Sequence, residues 1–154
     1  MKNEFMSRAI TLSIESVSKG GGPFGSLIVK DNKIISEGFN QVTSTNDPTA
    51  HGEIVAIRNS CKILNSFSLK GCDLYTSCEP CPMCMSAIYW ARIDNVYYAN
   101  TRDDAKKIDF DDSLIYEQLT KSIKERKIRM TQLMRNEALK AFELWDKKTD
   151  KVKY

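Results

Sequence analysis

The chain has 154 residues, 42% hydrophobic and 28% charged, with a net charge of +3; the length suits one domain, and the composition excludes a disordered, collagenous or low-complexity chain. No apolar run approaches the ~18 residues of a membrane helix, and Lys2, Glu4 and Arg8 stand where a secretory signal would be apolar, so a cytoplasmic protein is expected. A pI of 8.5 lies below the value above ~9 that marks a nucleic-acid footprint, so an RNA partner is not demanded.

Phe5, Met6, Ala9, Ile10, Ile14 and Val17 recur at spacings of three and four, predicting an amphipathic helix from Asn3 to Val17 that the Gly20 to Pro23 run ends. Phe24 to Lys30 and Lys33 to Phe39 read as a β-hairpin turning at Asp31-Asn32. The polar stretch Asn40 to Ala50 is expected as a loop. A second helix beginning at Thr49 to His51 carries the stripe Ile54, Ala56, Ile57, Cys61 and Leu64. A strand at Leu74 to Thr76, a buried helix at Met83 to Ala91 entered through Pro82, and a strand at Val96 to Ala99 follow, an alternation that suggests a parallel crossover. Beyond Asn100 the chain turns polar. Lys121 to Arg129 is its most basic stretch, Ile128 to Met134 reads as a weak strand, and Ala138, Phe142 and Trp145 mark a last helix. The whole is expected to be a single domain, 1–154, with 128–154 as a C-terminal extension.

Five cysteines, three of them between Cys78 and Cys84, and a single histidine point to metal chemistry in a reducing compartment instead of disulfides. His51-Gly52-Glu53 heads one helix and Pro80-Cys81-Pro82-Met83-Cys84 heads another. Cys81 and Cys84, three apart on a first helical turn, share a side, and the positive helix end favours their thiolates. With His51 they offer zinc three ligands of the kinds it accepts together. A structural site needs a fourth protein ligand, for which Cys78 is available; a catalytic site keeps that position for water. An iron–sulfur run of this spacing would continue at position 88, which is Ile88. Glu53, two residues from His51, stands where a carboxylate can move protons beside the metal without binding it.

The pair of motifs H-x-E and P-C-x-x-C resembles the cytidine and deoxycytidylate deaminase superfamily. Within it, Gly22-Pro23-Phe24-Gly25, Asn46 to His51, Thr76 to Glu79, Ala87 to Arg92 and Phe110 to Ser113 look like the bacterial guanine deaminases. The resemblance implies an α/β fold of three layers, α/β/α, with a mixed central sheet of about five strands. It also implies one zinc ion per subunit on His51, Cys81 and Cys84, and hydrolysis of guanine to xanthine and ammonia. By the same carry-over Glu53 relays a proton to ring N3, Asp112 is a second acid beside the leaving amine, and Asn40 reads the purine ring. Phe24 and Trp90 wall the base, and Tyr154 closes the pocket in a homodimer whose C-terminal segments are exchanged.

The family's usual Ala between the histidine and the glutamate is here Gly52, and Gly52→Ala is expected to leave activity unchanged or raise it. Local sequence alone also reads Asp112 as an N-cap before Ser113 to Leu119, and Asn40 and Trp90 as turn and core residues. Other readings are a tRNA adenosine deaminase, which would draw on the basic Lys121 to Arg129 stretch, a deaminase of guanosine, cytosine or another small aminated ring, and a noncatalytic zinc module.

Overall fold

The computed structural model describes residues 1–154, which divide into two compact units, Met1–Asp112 and Ser113–Tyr154. The first unit contains α1 (Lys2–Ser18), β1 (Gly25–Lys30), β2 (Lys33–Phe39), α2 (Val42–Thr45), α3 (Gly52–Ile63), β3 (Cys72–Cys78), α4 (Pro82–Ala91), β4 (Asn95–Asn100) and α5 (Arg102–Lys106). The second contains α6 (Ser113–Thr120), a 3₁₀ turn (Ile123–Glu125) and α7 (Arg135–Lys147). No helix is long and apolar enough to cross a membrane.

The sheet is mixed and four-stranded, in the order β2-β1-β3-β4: β1 runs antiparallel to β2 and to β3, while β3 and β4 are parallel through the α4 crossover. The hairpin turns at Asp31 and Asn32, both with positive φ (49° and 58°), as a tight turn between right-twisted strands requires. Alternation along the strands sorts the core into two layers. Leu27, Val29 and Tyr75 meet Ala9 and Leu12 of α1, whereas Ile28 and Leu74 meet Ala56, Ile88 and Ala91 of α3 and α4. Helices on both faces of one mixed sheet make the three-layer architecture expected.

The buried face of α1 is the expected one only in part: Phe5, Met6 and Ala9 pack on the core, but the stripe does not continue through Ile10, Ile14 and Val17. Ala9, Leu12, Ser13 and Ser16 are buried, while Ile10, Ile14 and Val17 are exposed. The cause is the closeness of helix and strand: a Cβ on Gly25 would come within 2.5 Å of the Ala9 carbonyl oxygen and the Ser13 nitrogen. The helix backbone therefore lies directly against β1, with the small Ala9 and Ser13 at the contact and Leu12 packed beside it.

A second difference lies at residues 128–134, where the weak strand is not formed. Ile128, Met130 and Leu133 are exposed, and the ladder has no position for them. Two short helices lie where none was expected. One is α2, within the Asn40 to Ala50 loop; the other is α5, whose start was signalled by Thr101 three residues before Asp104, a reciprocal capping box in the structure.

Arg8 on α1 clamps Glu37 on β2 through two hydrogen bonds of 2.7 Å, which holds the Glu37 carboxyl below the usual carboxylate range. A carboxyl lowered in the folded state adds stability above the unfolded value of ~4.3 and loses it as pH falls through the folded value. Both side chains are about a third exposed. Glu37→Gln should therefore cost about 1 kcal/mol or less at pH 7, and urea unfolding should show that cost shrinking toward zero as the medium is acidified below pH ~4.

Candidate functional site

Asn40 follows the last residue of β2, and the neighbouring Gln41 N–H donates to the Ala50 carbonyl at 2.9 Å, so the strand end fixes the residue before His51. His51 is the N-cap of α3, and Cys81 is the N-cap of α4 with Pro82 in its first turn. Both caps are extended (φ −70°, ψ 157° and φ −66°, ψ 168°), so two helix starts bring their positive ends to one place. Cys84 enters it from the first turn of α4 and is wholly buried.

His51 Nδ1 lies 3.6 Å from Cys81 Sγ and 3.6 Å from Cys84 Sγ. Bond lengths of about 2.0–2.1 Å to nitrogen and 2.3 Å to sulfur place adjacent corners of a zinc tetrahedron about 3.6 Å apart, which the observed spacing matches. The three donor atoms lie within 4.8 Å of one another. The Cys84 thiol and the His51 ring beside it favour the Cys81 thiolate, bringing its pKa down to about 4. Cys84, keeping the shared proton and facing Glu53, is pushed well up, and the Cys81 thiolate raises His51. A divalent cation is what this donor set fits, because it can replace the proton that the sulfurs share.

Cys78, the candidate fourth ligand, is engaged elsewhere. Its thiol donates to the Thr101 carbonyl at 3.6 Å, and burial pushes its pKa up to about 11, which keeps it protonated. The protein therefore supplies three ligands, the pattern of a catalytic site.

Glu53, one residue into α3, is 6% exposed; burial raises its carboxyl, and its hydrogen-bond partners are its own backbone N–H and Cys84. That is the place for a proton carrier: beside the metal ligands yet outside the ligand set. Asp112 is half-buried, with its carboxyl raised by burial, lowered by Arg102 and raised by the Cys81 charge, so it falls within the electrostatic reach of the same centre.

Asn40 is 7% exposed, and its Oδ1 accepts the Val42 N–H at 3.3 Å. That bond fixes which end of the amide is oxygen and turns the NH2 into the available donor, suited to a ring nitrogen or carbonyl. Phe24 is tied in by its backbone, its carbonyl accepting the Asn40 N–H at 3.0 Å. Phe110, to which the sequence reading gave no role, packs on the Phe24 ring. Trp90, 67% exposed on α4, lines a surface hollow with Tyr89 and Arg92; Tyr154 lies in the second unit, 70% exposed.

A Cβ on Gly52 would meet Ser26 Oγ at 3.2 Å and the Phe24 carbonyl oxygen at 3.4 Å. The Ser26 hydroxyl, which donates to Thr76 Oγ1 at 2.9 Å, would have to give by a few tenths of an ångström. The helix gains up to about 1 kcal/mol from alanine, which offsets that shift. Gly52→Ala should keep catalytic efficiency within about two-fold of the parent or above it; steady-state assays showing a roughly ten-fold fall would assign the glycine a specific role.

Residues 1–100 match the family described as the cytidine and deoxycytidylate deaminase zinc-binding region. The chain is 52% identical over 151 residues to a guanine deaminase of Bacillus subtilis (strain 168), covering 97% of each chain. A crystal structure of guanine deaminase from Bacillus subtilis superposes with a TM-score of 0.96 at 51% identity, covering 99% of this chain and 98% of that one. A tRNA-specific adenosine deaminase of Aquifex aeolicus is 41% identical over 98 residues, 64% of this chain and 65% of its own.

Proposed function

The chain belongs to the cytidine and deoxycytidylate deaminase family, and we propose that it is a zinc-dependent hydrolase that converts guanine and water to xanthine and ammonia. The observation that carries this reading is the three-donor cluster of His51, Cys81 and Cys84 with Glu53 buried beside it, in a chain that matches a guanine deaminase over nearly its whole length. Zinc held by those three residues supplies the Lewis acidity that makes water nucleophilic near neutral pH.

Every other task falls to the chain. Glu53 takes the proton that water loses as it adds to C2 and delivers it to N3, so the ring never carries a full negative charge. The tetrahedral carbon must then expel its amino group: Asp112 donates the proton with which it leaves as ammonia, and the proton that the added hydroxyl gives up as the C2 carbonyl of xanthine forms restores the Asp112 carboxyl. One carboxyl serves the ring and the other the amine. The Asn40 NH2 donates to an acceptor on the purine edge, and the Phe24 ring lies against the flat base.

The second unit presents unburied apolar side chains. No residue of α6 or α7 is buried, and Leu114, Leu119, Phe142 and Leu144 are exposed. We read these faces as subunit contacts of a homodimer, with the C-terminal segments exchanged and Tyr154 and Trp90 brought to the base by the assembly. The five free cysteines suit the reducing cytoplasm.

The test is ammonia release from zinc-loaded protein given guanine, guanosine, adenine, cytosine and cytidine separately. Guanine alone is expected to be turned over. Turnover of another ring with guanine inert would refute the substrate assignment. Inert small substrates together with tight, salt-sensitive tRNA binding would support the tRNA reading instead.

A further inference from the structure

Three groups from distant parts of the chain converge on Gly22. A Cβ there would lie 3.2 Å from Phe24 Cδ2, 3.4 Å from Asn40 Cγ and 3.4 Å from Phe110 Cζ. The Phe24 and Phe110 rings pack with centroids 4.9 Å apart and planes at 89°, an edge-to-face pair. Phe110 is held there by its own segment: Asp109 takes a left-handed turn (φ 70°), the Phe110 N–H donates to the Ala105 carbonyl at 3.1 Å, and Lys106 pairs with Asp111 at 3.2 Å. Yet the ring is 46% exposed, so Phe24 covers only part of it. An aromatic ring fixed beside Asn40, two residues from Asp112, and half open is placed to meet a flat ligand.

We propose that Phe110 is a third element of the base-binding pocket, an aromatic corner with Phe24 that positions the purine between the Asn40 amide and the two carboxyls, and that Gly22 keeps that corner narrow. The proposal deepens the guanine reading and rests on it. Its chemistry is ring contact with a planar heterocycle, which strengthens binding of the ground state and the transition state about equally. It should therefore appear in KM and hardly in kcat.

The experiment is steady-state kinetics on guanine for the zinc-loaded full chain and for Phe110→Ala, Phe110→Leu, Phe110→Tyr and Gly22→Ala, with zinc content measured for each. Phe110→Ala should raise KM about ten-fold with kcat within about three-fold of the parent. Phe110→Tyr should return KM close to the parent value, and Phe110→Leu, which restores bulk without a π-face, should stay near the alanine variant. Gly22→Ala, which must displace the corner, should raise KM several-fold. A KM for Phe110→Ala within two-fold of the parent overturns the proposal, as does equal rescue by Leu and Tyr or a loss confined to kcat or zinc content. A parent protein inert toward guanine overturns the substrate assignment as well, so the two failures are distinguishable.

Discussion

Glu53→Ala is expected to lower guanine turnover by about 10²- to 10⁴-fold while leaving one zinc per chain, since a positioned acid–base group contributes roughly that factor. The expectation follows from where the side chain lies. Glu53 is on the first turn of α3, 6% exposed, against Cys84 and beside His51, but outside the three-donor cluster. Its removal deprives the reaction of a group that can both take a proton from water and return it to the ring, and removes no ligand. Glu53→Gln, which keeps the shape, should be nearly as inactive. Retained turnover in both variants, at full zinc content, would place the proton transfer on another residue, Asp112 being the next carboxyl within reach of the centre.

Cys84→Ser is expected to abolish both metal and activity. A serine hydroxyl stays protonated near neutral pH and cannot replace a thiolate as a ligand for zinc. Cys84 is fully buried and lies 3.6 Å from His51 Nδ1, so its loss breaks the tetrahedron from within. Zinc content after dialysis should fall to less than about a tenth of the parent's, with ammonia release at background and a lower melting temperature, because metal binding to the native chain adds to its stability. Cys78→Ser is the contrast. Its thiol lies on the Thr101 carbonyl, so zinc should remain. Loss of zinc in both variants would mean a closed site with four protein ligands.

What the sequence revealed divides along the range of the interactions involved. The turn at Asp31-Asn32 was legible because positive φ is a local property of those residue types, and both residues adopt it. The three-donor cluster was legible because Cys81 and Cys84 sit one helical turn apart and the only histidine stands at the start of the preceding helix of that layer, α3. The face of α1 was legible at Phe5, Met6 and Ala9 but not beyond them, because a close contact with Gly25, distant in sequence, turns Leu12, Ser13 and Ser16 inward and leaves Ile10, Ile14 and Val17 exposed. Whether Cys78 joins the metal could not be settled by spacing either, since the answer lies in its bond to Thr101. Phe110 escaped for the same reason: nothing near it in sequence reports that its ring ends against Phe24 and Gly22. The start of α5 is the exception, a local signal at Thr101 and Asp104 that was present and overlooked.

We propose that a zinc ion on His51, Cys81 and Cys84, with Glu53, hydrolyses guanine in this chain. The most direct measurement is a zinc titration of metal-stripped protein followed by the rate of xanthine and ammonia formation from guanine, with Glu53→Ala alongside. The expected result is no turnover without metal, a rate rising linearly to a plateau at one zinc per chain with the two products in equal amounts, and a flat line for Glu53→Ala. Full activity in the metal-free protein, or zinc-saturated protein that leaves guanine intact, would contradict it.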